Sequence, residues 1–168
     1  MPGVVKKGLK GGVLYHDGQF DDSRLAMDLL HLLHRQGGMA VNYCEAVALG
    51  KDGTGRIAGV ELSDRETGTT YSISARCVIN AAGVWVDSIM EMDNPDHSQA
   101  IRPSQGVHLT IDRSFLPGDH ALMIPKTSDG RVLFAVPWHG KVVLGTTDTP
   151  VNRISNEPTA TEEEIGFI

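Results

Sequence analysis

Apolar residues in the stretch "DDSRLAMDLLHLLHRQGG" (21–38) fall at Leu25, Leu29, Leu32 and Leu33, the spacing of a single helix face. Asp21 or Asp22 can cap the start and Gly37-Gly38 stops the run, so a helix over about 21–36 with one buried face is predicted. Ahead of it, "GGVLYHDGQF" (11–20) alternates in the manner of a short strand. Behind it, "MAVNYCEAVAL" (39–49) reads as a strand and "KDGTG" (51–55) as a hairpin turn. "RIAGVELSDRETGTTYSISARCVINAAG" then reads as two further strands joined at "DRETGT". The β-branched run at its end falls into Ala81, Ala82 and Gly83, and "VWVDSIMEM" (84–92) makes a second helix that "DNPDHS" breaks.

Beyond that break the pattern changes. "GVHLTIDRSF", "HALMIPKT", "RVLFAVPW" and "KVVLGTTD" are short apolar runs separated by Pro, Gly and Asp, which predicts an antiparallel meander. The tail begins an acidic helix at "TATEEEIGFI", with Thr159 or Thr161 as its cap. The expected fold class is α+β: a mixed or antiparallel sheet with two main helices at about 21–36 and 84–92. Three regions are expected, 1–92, the meander 93–150, and a tail 151–168.

Composition narrows the function classes. The chain has 168 residues, 40% hydrophobic and 21% charged, the balance of an ordinary globular protein. A net charge of −6 leaves no electrostatic footprint for nucleic acid, and no basic run would hold an anionic membrane. Cys44 and Cys77 are too few for a disulfide framework and fit a reducing, cytoplasmic setting. No window reaches the length of a membrane span.

Two features invite over-reading. "GTGRIAG" (53–59) looks like a glycine-rich phosphate loop, but strand-like "VELSD" follows where that motif needs a helix, so a hairpin is expected. His31 and His34 stand three apart on the first helix without a third ligand nearby, and no metal site is expected. The small-residue stretch Asn80-Ala81-Ala82-Gly83 has two readings. It is a tight strand-to-helix turn, or a place where backbone comes close to a phosphate or a flat cofactor.

Taken in order, "GGVLYHDGQFDDSRL", "VNYCEAV", "VINAAGVWVDSI", "RPSQGVHL" and "IPKTSDGRVLFAVPWHGKVVLGTTDT" resemble the middle of the FAD-dependent glycerol-3-phosphate dehydrogenases, of the D-amino-acid-oxidase-like flavoprotein superfamily. The resemblance covers nearly the whole chain, and "PWHG" and "GTTDT" are its more specific segments. It implies FAD as cofactor, glycerol 3-phosphate as substrate, and a quinone or other electron acceptor. The family's N-terminal G-x-G-x-x-G nucleotide-binding unit has no counterpart here, so a central piece is expected. Such a piece would bind FAD weakly or not at all and would self-associate. The complete enzyme would be cytoplasmic or peripheral at the inner face of the membrane.

The resemblance also suggests roles. Ala82 and Gly83 would pass beside FAD, with Trp85 following at a position where the family has an aromatic. Val47 would lie near the adenine end, although a packed edge valine explains it equally. His108 in "SQGVHL" matches a histidine of the substrate pocket and is the candidate proton acceptor, because histidine exchanges protons near neutral pH. A structural histidine in a strand remains the alternative. Arg102 and Lys126 are the basic candidates for the substrate phosphate, or else solvated surface charges. Gln105 departs from the lysine common in the family, which weakens any anion contact there. Two competing classes stay open: a cofactor-free binding module on the same fold, and a related amine-oxidising flavoenzyme.

Overall fold

The structure, a computed structural model, describes residues 4–127 and 130–168. Local signals act where the sequence places them. Helix α1 spans Asp22–Arg35; the Asp21 carboxylate accepts from the Arg24 N–H, and the chain leaves through Gly37 at φ +80°. Strands β1 (Cys44–Lys51), β2 (Ile57–Asp64) and β3 (Thr70–Ser74) form an antiparallel sheet in the order β1-β2-β3. The β1–β2 turn is the glycine-rich stretch, closed by Asp52, whose carboxylate accepts from the Thr54 hydroxyl and the Thr54 and Arg56 N–H groups. These bonds hold the Asp52 carboxyl below its ordinary range, the Thr54 hydroxyl first among them. The stretch is a hairpin, as the strand after it required.

A 3₁₀ turn at Gly83–Trp85 leads into α2 (Val86–Asp93). α2 packs beside β1, where the Lys51 ammonium lies 2.7 Å from the Asp93 carboxylate and donates to its carbonyl. The loop after α2 folds back so that His97 Nε2 meets the Asp87 carboxylate at 2.9 Å.

Three expectations for this half need correction. Residues 11–20 form no strand and are exposed throughout; they pair with no strand among the described residues. Residues 75–80 form no strand either, because pairing with β2 ends where the Ala75 N–H donates to the Ala58 carbonyl and no other strand among the described residues lies alongside. The α1 leucines are not buried: Leu29 is 56% exposed and Leu32 50%. Periodicity fixed the apolar stripe, but burial needs a covering surface, and the described residues provide none.

Gly11–Ser98 make one compact unit; Gln99–Ile168, with the residues up to Lys10, make the other. In the second, β5 (His108–Asp112), β6 (Leu122–Ile124), β7 (Leu133–Trp138) and β8 (Lys141–Gly145) form a four-stranded antiparallel sheet, and a short pair joins β4 (Ser104–Gln105) to β9 (Thr149–Pro150). The strand order is β5-β8-β7-β6, a Greek-key order rather than the expected meander. The connection over 113–121 carries the chain from one edge to the other. It is held by Arg113 donating to the Leu116 and Gly118 carbonyls, with Leu116 buried beneath. β7 and β8 join through His139 and Gly140, both at positive φ (45° and 75°), as in a type I′ turn. "PWHG" is thus a hairpin signal. Helix α3 (Glu162–Phe167) starts at Thr161, whose side chain and Glu164 form a reciprocal capping box.

Every strand pair among the described residues is antiparallel, and the class is α+β. The core of the second unit is Leu116, Ala135 and Val142 packed with Ile111, Leu122 and Leu144. All but Leu116 project from one face of the four-stranded sheet, so the other face is left open.

Candidate active site

Cross-strand register identifies that open face. His108 pairs with Gly145, Gly145 with Phe134, and Phe134 with Met123, which makes one row across all four strands. The next row, Leu109, Leu144, Ala135 and Leu122, points the other way and supplies the core. His108 therefore stands exposed on the face opposite the core, the face that also carries Phe134 (38% exposed) and, at the far edge, Met123 (39%). A packed core histidine is not what the fold makes of it. Its imidazole lies over Gly145, where a Cβ would fall 2.9 Å from the ring Cγ and 3.0 Å from Nε2. Gly145 is the gap that admits the ring.

The segment before His108 is tightly held. Gln105 donates from Nε2 to Glu164 Oε2 at 3.0 Å and to the Thr159 carbonyl at 2.9 Å. Both bonds use its amide nitrogen, so the residue that stands where the family has lysine is tied to the tail. Glu164 is 3% exposed. Its carboxylate also accepts from the Thr161 N–H (2.9 Å) and hydroxyl (3.0 Å) and from the Thr147 hydroxyl (3.3 Å). The Thr161 N–H first, then the side chains of Thr149, Thr161 and Gln105, outweigh the cost of burial and pull its carboxyl from an ordinary value near 4.5 to about 2. Sequence reasoning took "TEEEI" only as a helix start. The signal it held was the glutamate three residues after the Thr161 cap.

A depressed carboxyl stabilises the fold above its ordinary pKa and loses that contribution as pH falls through its folded value. The Glu164 contribution should be complete at pH 7, decline below about 4.5 and be gone only below about pH 2. Thermal melts of wild type and Glu164→Gln should accordingly differ at pH 7 and draw together as pH falls toward 2. A gap that stays constant over that range would overturn this.

The other basic candidates lie apart. Arg102 is exposed and lines a cavity of about 440 Å³ formed by Gln99–Pro103, Val151 and Asn152, beside the β4–β9 pair. Lys126 is exposed just past β6, at the same end of the sheet as His108 but on the opposite edge. That is three strand spacings away, roughly 14 Å.

In the first unit, Val47 is the extra residue of a β-bulge. Ala46 pairs with Leu62 and Ala48 with Glu61, which leaves Val47 without a register partner and 41% exposed. The Ala81–Gly83 turn is braced by Asn80, whose Oδ1 accepts from the Ala82 N–H at 3.2 Å and whose Nδ2 donates to the Val86 carbonyl at 2.9 Å. Gly83 takes φ +56°, and a Cβ there would meet open space. Val84 and Trp85 flank it, 37% and 43% exposed. Bare backbone beside half-exposed apolar side chains fits a flat ligand with one apolar face. These residues fit FAD in that sense.

The whole chain, residues 1–168, matches the family described as FAD dependent oxidoreductase. A relative from Dictyostelium discoideum, named as a probable mitochondrial glycerol-3-phosphate dehydrogenase, is 40% identical over 98% of this chain and 27% of its own length. The human mitochondrial glycerol-3-phosphate dehydrogenase is 38% identical over 99% of this chain and 24% of its own. The X-ray structure of the Bacillus halodurans glycerol-3-phosphate dehydrogenase complexed with FAD superposes with a TM-score of 0.91 at 38% identity, covering 99% of this chain and 34% of that one. The chain thus spans about a quarter of the length of these curated relatives. No helix among the described residues is long and apolar enough to cross a membrane. With every residue inside the matched family, the chain belongs to the FAD dependent oxidoreductases.

Proposed function

We propose that this chain is the central part of a flavoenzyme that oxidises sn-glycerol 3-phosphate to dihydroxyacetone phosphate, with the open face of the second unit's sheet turned to the substrate. The observation that carries this reading is His108 on that face, seated over Gly145, in a chain 38% identical to an FAD-complexed glycerol-3-phosphate dehydrogenase. FAD, when bound, supplies the hydride acceptor. His108 takes the proton of the substrate's secondary hydroxyl as the carbon–hydrogen bond breaks. Arg102 and Lys126 are the basic residues offered for the phosphate. Val47, Ala82, Gly83 and Trp85 hold the cofactor by close backbone and apolar contact. A quinone or other acceptor removes the electrons.

The regional division is part of the same reading: cofactor-side elements in 1–92, the substrate-side sheet in 93–150, and the tail 151–168. Cys44 and Cys77 are free thiols, which suits a reducing compartment such as the cytoplasm; the human and Dictyostelium relatives carry mitochondrial names. The test uses the full-length protein that contains this chain. Purified anaerobically, it should be yellow and should bleach on addition of glycerol 3-phosphate. A flavin-loaded protein that glycerol 3-phosphate leaves oxidised would overturn the reading, and bleaching by an amine instead would favour the amine-oxidising class.

The isolated chain should behave differently. It has no glycine-rich pyrophosphate turn, so FAD retention should be weak. The exposed apolar stripe of α1, with Leu25, Leu29, Leu32 and Leu33 each at least 41% exposed, should drive it to self-associate. Sedimentation should show oligomers at high concentration, and a clean monomer would count against it.

A further inference from the structure

Four consecutive residues leading to the open face, Gln105 to His108, are all held by residues within 145–164. Gln105 is bonded to Glu164 and to the Thr159 carbonyl. Gly106 packs so closely that a Cβ would fall 2.7 Å from Thr146 Oγ1 and 3.2 Å from the Thr147 carbonyl oxygen. The Val107 N–H donates to Thr147 Oγ1 at 2.9 Å, and its carbonyl accepts from the Thr147 N–H at 3.3 Å. His108 lies over Gly145.

Within this clamp the hydrogen bonds have a direction. Thr147 is 1% exposed and its hydroxyl carries one proton. Because its oxygen accepts from Val107, that proton is free to point at Glu164 Oε1, 3.3 Å away. An ionised carboxylate can only accept, so it fixes the hydroxyl in this orientation. The order runs from the Val107 N–H through the Thr147 hydroxyl to Glu164.

We propose that Glu164, acting through the Thr147 hydroxyl, is a positioning residue for His108. It sets the Val107 peptide, and with it the direction in which the neighbouring imidazole leaves the sheet. Neither Glu164 nor Thr147 touches substrate. The proposal rests on the reading of His108 as the proton acceptor.

The test is a mutant cycle in the full-length, FAD-loaded protein: Thr147→Val, which keeps the shape and loses the hydroxyl, and Thr147→Ser, which keeps it. Each is made alone and with His108→Ala. Two readouts are taken, flavin reduction by glycerol 3-phosphate in a single turnover and amide hydrogen exchange across 104–109. Thr147→Val should slow reduction about tenfold alone and not further in the His108→Ala background, as residues acting as one unit do. Exchange at Val107 should quicken about tenfold, the scale of one lost hydrogen bond. Thr147→Ser should restore both. Equal slowing by Thr147→Val in both backgrounds, or none in either, with His108→Ala itself slow, would overturn the positioning role alone. A His108→Ala protein as fast as wild type would overturn the reading of His108 and this proposal together. Should Thr147→Val fail to retain flavin, Glu164→Gln goes through the same cycle with the same expected non-additivity.

Discussion

His108→Ala in the full-length flavoprotein is expected to slow flavin reduction by glycerol 3-phosphate by roughly a hundredfold or more, the usual scale for a positioned acid or base. Flavin content should be unchanged, because the residues proposed to hold FAD are Val47, Ala82, Gly83 and Trp85, none of them near His108 in sequence. The melting temperature should also change little. His108 is exposed on the face away from Leu116, Ala135 and Val142, so its removal opens no cavity in that core. A residue kept only for packing gives the reverse pattern, a loss of about 1 to 3 kcal/mol in stability with a near-normal rate. Single-turnover reduction separates the two, and a rate within about threefold of wild type would retire the catalytic role.

The parts of this fold that could be read from sequence are those decided within a few residues. Asp21 capping α1, the Asp52 turn and the Thr161 cap each satisfy backbone groups from a side chain three or four positions away or less, and all three appear. The apolar runs of β6, β7 and β8 were legible for the same reason. What failed depends on distant partners. The strand expected at 11–20 and the stretch 75–80 expected to continue β3 had suitable patterns, but a strand exists only where another lies beside it. The α1 stripe was correctly located and wrongly supposed buried. Strand order failed likewise, since four short apolar runs with turn residues between them do not say which edge β5 joins.

The site divides along the same line. His108, Ala82 and Gly83 are candidates through resemblance of short motifs, whereas no such motif points to Glu164 and Thr147. In "TEEEI" three glutamates look alike, and only the third, at the position facing back to the cap, is buried against Gln105 and Thr147. Val47 was chosen as a strand residue, and nothing local marks it as the unpaired member of a bulge. Gly145 in "VVLGTTD" reads as the end of a strand. Its significance appears only once β5 is known to lie alongside, in register with His108.

That register gives Gly145→Ala a consequence that depends on its neighbour. The backbone at Gly145 does not use the left-handed region, so alanine is conformationally acceptable there, and fewer unfolded conformations would by themselves stabilise the chain by about 0.4 to 1 kcal/mol. The obstacle is the imidazole. A new Cβ would stand 2.9 Å from Cγ and 3.0 Å from Nε2 of His108, and rotation about the ring's own bond cannot clear Cγ. The side chain must leave its rotamer and swing off the position it holds over the sheet. Flavin reduction should fall by roughly tenfold to a hundredfold, the cost of displacing a reacting group by about 1 Å. With His108 already replaced by alanine the overlap is gone, and the added Gly145→Ala should then leave the residual rate unchanged. The melting temperature should reverse sign between the two backgrounds, falling when the histidine is present and rising when it is absent. Four proteins, melted and assayed in parallel, decide it, and a Gly145→Ala enzyme as fast as wild type would show that the ring does not work from the place where Gly145 admits it.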